Sequence, residues 1–411
     1  MEKYSIFRDN AFKLYSELPD ELNELYTRYY LPVKLPNLAE SKQSSVEELK
    51  KRIEEIEKKT MMKFDLIFSD IYELSKSESV TINEMSSLGK ELENKIFKSE
   101  DNKLAAFMNG TAKKAVVIKH NKNSKKELNM LFINCSDTAF QVLFDVEDDS
   151  KLNVSQIFTS GSSDKNVSSV LQEFKVGKNA ELEVNVINNC DDKTTFIHLS
   201  KGEVEDNGKI TANFIYNGGC FTKSINYLDA KGENSSVNAT EMIYGSIRQE
   251  FDVNTYLTNS KKHTKTHLET GVVLDGESRC VLKGYAKVDK WTKGAFSRIN
   301  ERGIIISEKA HIDALPDMSI DYSDEVSATH SAATSPIDKE ALFYIVSRGI
   351  EEKKARKMFI SSFINKYISS IKNPKTKEVA SSIVLNRLEN DNYGIFQEVT
   401  PKDVWSTQEK V

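Results

Sequence analysis

The chain has 411 residues, 39% hydrophobic and 29% charged, which allows two or three compact units and excludes a disordered polymer. Its 57 basic and 62 acidic residues leave a net charge of −5, against a nucleic-acid-binding role, because counterion release needs a concentrated basic face. No apolar run approaches the roughly 20 residues that span a bilayer, and Met1–Ser5 opens no hydrophobic signal core, so a cytoplasmic protein with no membrane contact is expected.

Residues 1–110 read as a helical region. Ala11, Phe12 and Tyr15 lead to a break at Leu18-Pro19, and Leu22, Leu25, Tyr26 and Tyr29 follow at helical spacing. A second helix is predicted over Ser45–Lys58, where Ser45 and Glu48 form a capping box ahead of the stripe Val46, Leu49, Ile53 and Ile56. Its heavily charged opposite face predicts a solvent-exposed helix or a short helical hairpin.

Residues 111–335 read as an all-β body. The seven prolines leave the whole stretch between Pro36 and Pro316 empty, as a long hydrogen-bonded sheet system requires. In Glu181–Ile187 the residues Leu182, Val184 and Val186 alternate with Glu181, Glu183 and Asn185, the period of a half-buried strand. Lys209–Tyr216 and Ser235–Tyr244 are looser versions, and turn signals recur at Asn207-Gly208, Asn217-Gly218, Lys231-Gly232, Asp275-Gly276 and Lys283-Gly284. The glycine spacing shows no crisp period, so residue patterns alone leave both a sandwich and a solenoid open.

Helices return over 336–399. Asp338–Ser347 carries Leu342, Phe343, Ile345 and Val346, with Gly349 as a C-terminal cap. Ala355, Phe359, Phe363 and Tyr367 then recur every four residues beside Ile360, Ile364 and Ile368, and a further helix from about Thr376 to Asn390 completes a small bundle whose core takes most of the aromatics. Residues 400–411 read as a polar tail.

Catalytic signatures are missing. The chain has no P-loop, no GxGxxG, no GxSxG and no HExxH, and Cys135, Cys190, Cys220 and Cys280 make no CxxC, so they read as reduced, partly buried thiols in strands. The acid pairs at 148–149 and 191–192 read as solvated loop residues. His263 and His267 sit in a strand-like stretch, where a four-residue spacing means about 13 Å, too far to share an ion. His330 stands in Ala328-Thr-His-Ser-Ala-Ala-Thr-Ser335, a run of small residues that keeps an imidazole accessible. A structural histidine and an iron ligand or proton carrier are both compatible with that setting.

The C-terminal third carries a specific likeness. Ile306-Ser-Glu-Lys-Ala-His-Ile-Asp-Ala-Leu-Pro316, then Thr329-His330-Ser-Ala-Ala-Thr-Ser335 and Ile337, run into Ala341-Leu-Phe-Tyr-Ile-Val-Ser-Arg-Gly-Ile350. This pattern resembles the SufB/SufD family of iron–sulfur cluster assembly proteins, strongly over about 270–370 and only architecturally across the middle. The resemblance implies a mainly β fold, a right-handed parallel β-helix core flanked by N-terminal and C-terminal helical regions. It also implies pairing through the β-helix with a SufB-like subunit or a second copy, and docking of a SufC-like ATPase by the C-terminal helices. Phe343, Tyr344, Arg348 and Gly349 are the matched docking positions, with the ridge Arg348–Lys354 as the expected contact.

SufB-like scaffolds place a cysteine where this chain has Ala310, and alanine supplies no thiolate for nascent cluster chemistry. Ser331 matches neither subgroup, and Thr334-Ser335 leans towards SufB. The missing thiol weighs most, and the chain reads as SufD-like. The resemblance then makes His330 the residue that helps hold a forming, transient Fe–S cluster at a subunit interface, with no tightly bound cofactor and no catalysis of its own. Cys280 is the best-placed of the four thiols for a supporting role, although a buried structural cysteine is the favoured reading. A SufB-like homodimeric scaffold and a β-helix carbohydrate-active protein are the rival readings, and the sequence is silent on a flavin.

Overall fold

The computed structural model describes residues 2–18, 45–88, 95–161, 165–321 and 324–390. Its helices are α1 (Glu2–Glu17), α2 (Val46–Thr60), α3 (Lys103–Thr111), α4 (Lys339–Val346), α5 (Glu352–Ile368) and α6 (Pro374–Asn390). The strands begin with β1 (Leu66–Ser69), β2 (Glu73–Ser75), β3 (Val80–Glu84) and β4 (Lys114–His120). Next come β5 (Lys125–Asn134), β6 (Thr138–Val146), β7 (Lys151–Ser160), β8 (Asn166–Val176), β9 (Glu181–Asn189), β10 (Thr194–Val204) and β11 (Lys209–Tyr216). The series continues with β12 (Phe221–Ala230), β13 (Ser236–Gly245), β14 (Glu250–Asn259), β15 (Lys265–Leu274), β16 (Arg279–Val288) and β17 (Phe296–Ile305). It ends with β18 (His311–Ala314), β19 (Asp317–Ile320) and β20 (Ser327–Pro336).

Strand makes up 47% of the chain, wound as a parallel β-solenoid of about seven turns with helices at both ends. Odd-numbered strands from β5 to β17 form the spine of one sheet, which runs β2-β1-β5-β7-β9-β11-β13-β15-β17-β20. Even-numbered strands form the other, β18-β16-β14-β12-β10-β8-β6-β4-β3, with β19 also on β16. All pairings are parallel except β1 with β2 and β3 with β4. Strands β1 to β3 therefore bring the sheets into a stretch whose sequence reads as helical.

Each coil turns at a residue in the left-handed region. Asn123, Asp149, Asn179, Asn207, Asn234 and His263 all have φ between 55° and 59°, one per coil at intervals of 26 to 30 residues. Asn and Asp tolerate that conformation because a short polar side chain bonds locally. The corners also hydrogen-bond to one another along the rod: Asp149 N–H donates to Lys178 O, Asn179 to Asp206, Asn207 to Glu233, Asn234 to Lys262 and His263 to Lys293. This ladder is the repeat that glycine spacing does not reveal, and it places His263 in a corner rather than in a strand.

Between the sheets lies one continuous core. Phe132 and Phe158 stack at 4.6 Å, and Phe158 meets Phe196 at 5.5 Å. The outer faces are covered as well. Leu49, Ile53 and Ile56 of α2 join Ile67, Leu131, Ile133 and Ile157 in a cluster that also takes in Ile360, Ile364, Tyr367 and Ile368 of α5. So α2, closed by the capping box of Ser45 and Glu48, shields the first sheet instead of standing free in solvent; only its charged face does that. Leu104, Phe107 and Met108 of α3, with Phe97, cover Val167, Leu171, Ile197, Leu199 and Ile225 on the second sheet.

The helix α6 is pinned by Arg387, which bonds the Asn217 carbonyl and meets Asp192 at 2.5 Å. Asp191 and Asp192 are thus not solvated loop acids: Asp191 is buried, and burial pushes the Asp192 carboxyl up to about 6 against the pull of Arg387. Pro336 ends an edge strand and Pro374 opens α6, two places where a missing N–H does no harm.

If the left-handed corners hold the coils in step, then Asn179→Val should destabilise the protein by about 1–2 kcal/mol, while Asn179→Gly stays close to wild type. Denaturant midpoints of the two variants measure the difference, and equal midpoints would contradict the assignment.

Candidate functional site

Among the described residues, the last coil of the solenoid has an uncovered edge. Strand β20 pairs with β17 along its full length, and among the described residues no strand lies on its other side. Of Ser327–Pro336, all but the half-buried Ala328 are exposed. Its small residues, read in the sequence as a junction, are therefore an edge strand.

Register fixes where each of its side chains points. His330 pairs with Ile299, a residue of the inner core, so it lies on the row that faces into the solenoid. No further coil stacks above it, and the imidazole is exposed. On the same inward face Ala332 pairs with Glu301, and Thr334 pairs with Gly303. The outward row of the tip is a hydrogen-bonded chain. Ser331 donates to Asn300 at 2.9 Å, Asn300 donates to Glu269 at 2.8 Å, and Glu269 also meets His267 at 3.3 Å and Lys366 of α5 at 3.7 Å. Donors from His267 and Asn300 hold the Glu269 carboxyl below its ordinary value against the opposing effect of burial, the largest single influence.

Ala310 lies at the same end, buried in the core at the corner before β18. In the next coil inward, Cys280 pairs with Ile312, is fully buried, and has a thiol raised far above the usual range by burial. It behaves as a small hydrophobe. Cys135, Cys190 and Cys220 correct the expectation of strand thiols, since each sits at a corner just outside a strand; Cys135 and Cys190 are buried and Cys220 is partly exposed. No cluster of three or more His, Cys, Asp or Glu suited to a metal ion occurs among the described residues.

Of the other histidines, His198 and His120 are buried and His311 is exposed. His198 is fully buried, bonds Tyr216 Oη at 2.9 Å, and is pushed down to about 3 by burial, so it is neutral. His120 bonds the Ser124 and Lys151 carbonyls at a corner, and His311 meets Asp313 at 2.9 Å.

The C-terminal helices differ from the expected packing at one point. In α4 only Leu342 is buried; Phe343 is 72% and Tyr344 59% exposed, so these two aromatics are outside the bundle core. The Arg348 guanidinium stacks over the Tyr344 ring at 4.5 Å and donates to its hydroxyl at 2.5 Å. Gly349, at φ +85°, ends the turn with open space where a Cβ would be. Met358 is also exposed, and the ridge Arg348–Lys354 is exposed apart from a half-buried Ile350.

Residues 132–363, more than half of the chain, match the family described as SUF system FeS cluster assembly, SufBD core domain. The chain belongs to the SufB/SufD family. Similar proteins include the iron-sulfur cluster assembly protein SufD of Bacillus subtilis, 25% identical over 287 residues, which cover 68% of this chain and 64% of that protein. SufD of Escherichia coli is 23% identical over 193 residues, covering 47% of this chain and 45% of its own length. A SufBD family protein of Mycobacterium tuberculosis is 33% identical over 88 residues, covering 21% of this chain and 22% of its own. The chain thus spans less than two thirds of these relatives. No helix among the described residues is long and apolar enough to cross a membrane.

Two acids inside the rod escaped the sequence reading. Glu241 and Glu301 both occupy inward rows of the first sheet and are almost fully buried. Burial raises both, Glu301 to about 8, with the nearby Glu241 adding to the shift of Glu301. The signal was present: in Ser235–Tyr244 the face Val237, Ala239, Ile243 carries Glu241 as its fourth member.

The burial order of the thiols can be measured directly. Iodoacetamide at neutral pH should label Cys220 well before the other three cysteines, counted by mass spectrometry of the native protein. Labelling of Cys280 at a comparable rate would contradict its enclosure.

Proposed function

We propose that this protein is a SufD-like, non-catalytic subunit of an iron–sulfur cluster assembly complex. It pairs through its open tip with a SufB-like subunit, and a SufC-like ATPase docks on its C-terminal helices. The observation that carries the reading is the edge strand β20, which has free backbone groups and an unshielded, inward-row imidazole at His330. An uncovered edge is a template for another strand. A partner strand laid along β20 would bury His330 at the seam, where its nitrogen can ligate iron or move a proton while the partner provides thiolate. The nascent cluster is cargo in this scheme and stays at the seam only transiently.

Docking of the ATPase is supported by the exposed Phe343, by the stacked pair Tyr344 and Arg348, and by Met358. Exposed aromatics next to an arginine are the usual anchors of a protein interface. The chain has no nucleotide loop of its own, so hydrolysis falls to the partner and this subunit transmits the motion. In this reading the subunit works in the cytoplasm, where a reduced thiol and labile iron coexist.

Ala310 supports the SufD-like role over a homodimeric SufB-like scaffold, because a methyl group cannot hold iron where a scaffold's thiolate would. Purified together with its SufB-like and ATPase partners, the His330→Ala variant should assemble normally and co-purify with the ATPase. Its cluster build-up from iron(II) and sulfide, followed by visible absorbance, should fall at least tenfold. Wild-type cluster yield from that complex would remove His330 from the site.

A further inference from the structure

The inner rows of the solenoid are not purely apolar. One row of the first sheet reads Phe214, Glu241, Thr270, Glu301 and Ala332 in successive strands from β11 to β20. A row of the second sheet reads Ser200, Asn226, Thr255 and Gly284 from β10 to β16. The two rows interlock. Thr255 donates to one oxygen of Glu241 at 2.5 Å and Thr270 to the other at 2.7 Å, while Asn226 donates to Thr255 at 3.1 Å.

Glu301 lies two strands beyond Glu241 towards the tip. Its Oε1 fills the space left by Gly284, where a Cβ would come within 2.7 Å. It receives a backbone hydrogen bond from Gly284, but its Oε2 is buried with no partner among the described residues. Two carboxylates in a column with no cation cannot both stay charged. Burial favours the neutral form of both, but two hydroxyl donors oppose it at Glu241 while Oε2 of Glu301 has none, so Glu301 is the more firmly protonated of the two.

The groups around Glu301 are few. Glu241 on β13 and Cys280 on β16 are the titratable groups that share its interior, Thr270 and Leu268 face it from β15, and Arg298 and Arg302 of its own strand lie on the opposite face. From β20 it is overlaid by Ala332, an exposed residue with only a methyl group. His330 is one strand across and two residues along, about 8 Å away between Cα atoms. The unpartnered oxygen therefore has a short route to solvent at the open end and none through the packed coils behind it.

We propose that Glu301 is a proton store inside the rod that exchanges with solvent through the open tip, past Ala332. The step is a simple acid dissociation: the carboxyl O–H bond breaks, the proton passes to water at the tip, and a carboxylate remains beneath it. Given the assembly role proposed above, a cation brought to the tip would favour that carboxylate and expel one proton, so that charge is compensated from within.

The test uses the isolated full-length chain and is independent of any cluster chemistry. Infrared titration should show, in the protonated-carboxyl carbonyl region at pH 7, a band identified by its loss with a midpoint near 8, and this band should be missing in Glu301→Gln. On transfer to heavy water, that band should shift at least tenfold more slowly in Ala332→Phe than in wild type. A spectrum without the band at pH 7, or a band that survives Glu301→Gln, would overturn the store, and equal exchange rates with Ala332→Phe would overturn the route. If Glu301→Gln does not fold, the wild-type titration decides alone. Loss of the assembly role with the band intact would remove only the proposed function.

Discussion

In a parallel solenoid every coil satisfies its backbone through the coils on either side, and the last coil has only one neighbour. The N–H and C=O groups of β9 are shared with β7 and β11, and those of β15 with β13 and β17, but among the described residues β20 has only β17. An unpaired backbone group costs free energy comparable to a lost hydrogen bond if it is buried away from water. The open end must stay wet or be covered by another chain. At the opposite end the strands β2 and β3 turn antiparallel and are short, a common way of blunting an edge, and α1 and α2 pack nearby. The rod is therefore polar in the geometric sense, closed at one end and available at the other.

That asymmetry organises the chemistry. Both outer faces of the sheets are screened over much of their length, the first by α2 and α5 and the second by α3. Among its phenylalanine and aliphatic side chains the interior also carries polar groups, Gln156, Gln172 and His198 in earlier coils and Thr255, Glu241, Thr270 and Glu301 in later ones. Burying an ionised carboxylate in such a core costs several kcal/mol, more than two hydroxyl donors return. Acids in that position are pushed towards their neutral form, Glu301 more firmly than Glu241. Glu301, directly beneath the end strand, is the one of the two connected with whatever is held there, and Glu241 lies two strands further in.

Much of the architecture was legible in the residues. The absence of proline from 37 to 315, the alternation in Glu181–Ile187 and the capping box at Ser45 all correspond to observed elements. The coil repeat was hidden because it rests on one corner residue per coil, and that residue is Asn, Asp or His in turn rather than a constant glycine. Most of the aromatics were expected in the bundle core, yet α4 is only two turns long and buries a single side, so Phe343 and Tyr344 face outward. Asp192 read as a loop acid because its partner, Arg387, is 195 residues away. At the tip the sequence singled out His330, whereas Glu301 needed the register of β17 against β20 to be connected with it.

The central claim is that the open coil is an interface that a partner strand completes. Hydrogen–deuterium exchange of the full-length chain, alone and with a SufB-like subunit, tests it directly. The account predicts that amides of Ser327–Pro336 exchange quickly in the free protein and become protected in the mixture, with β9 to β13 unchanged. Equal exchange of that segment in both samples, with the two proteins demonstrably bound, would contradict it.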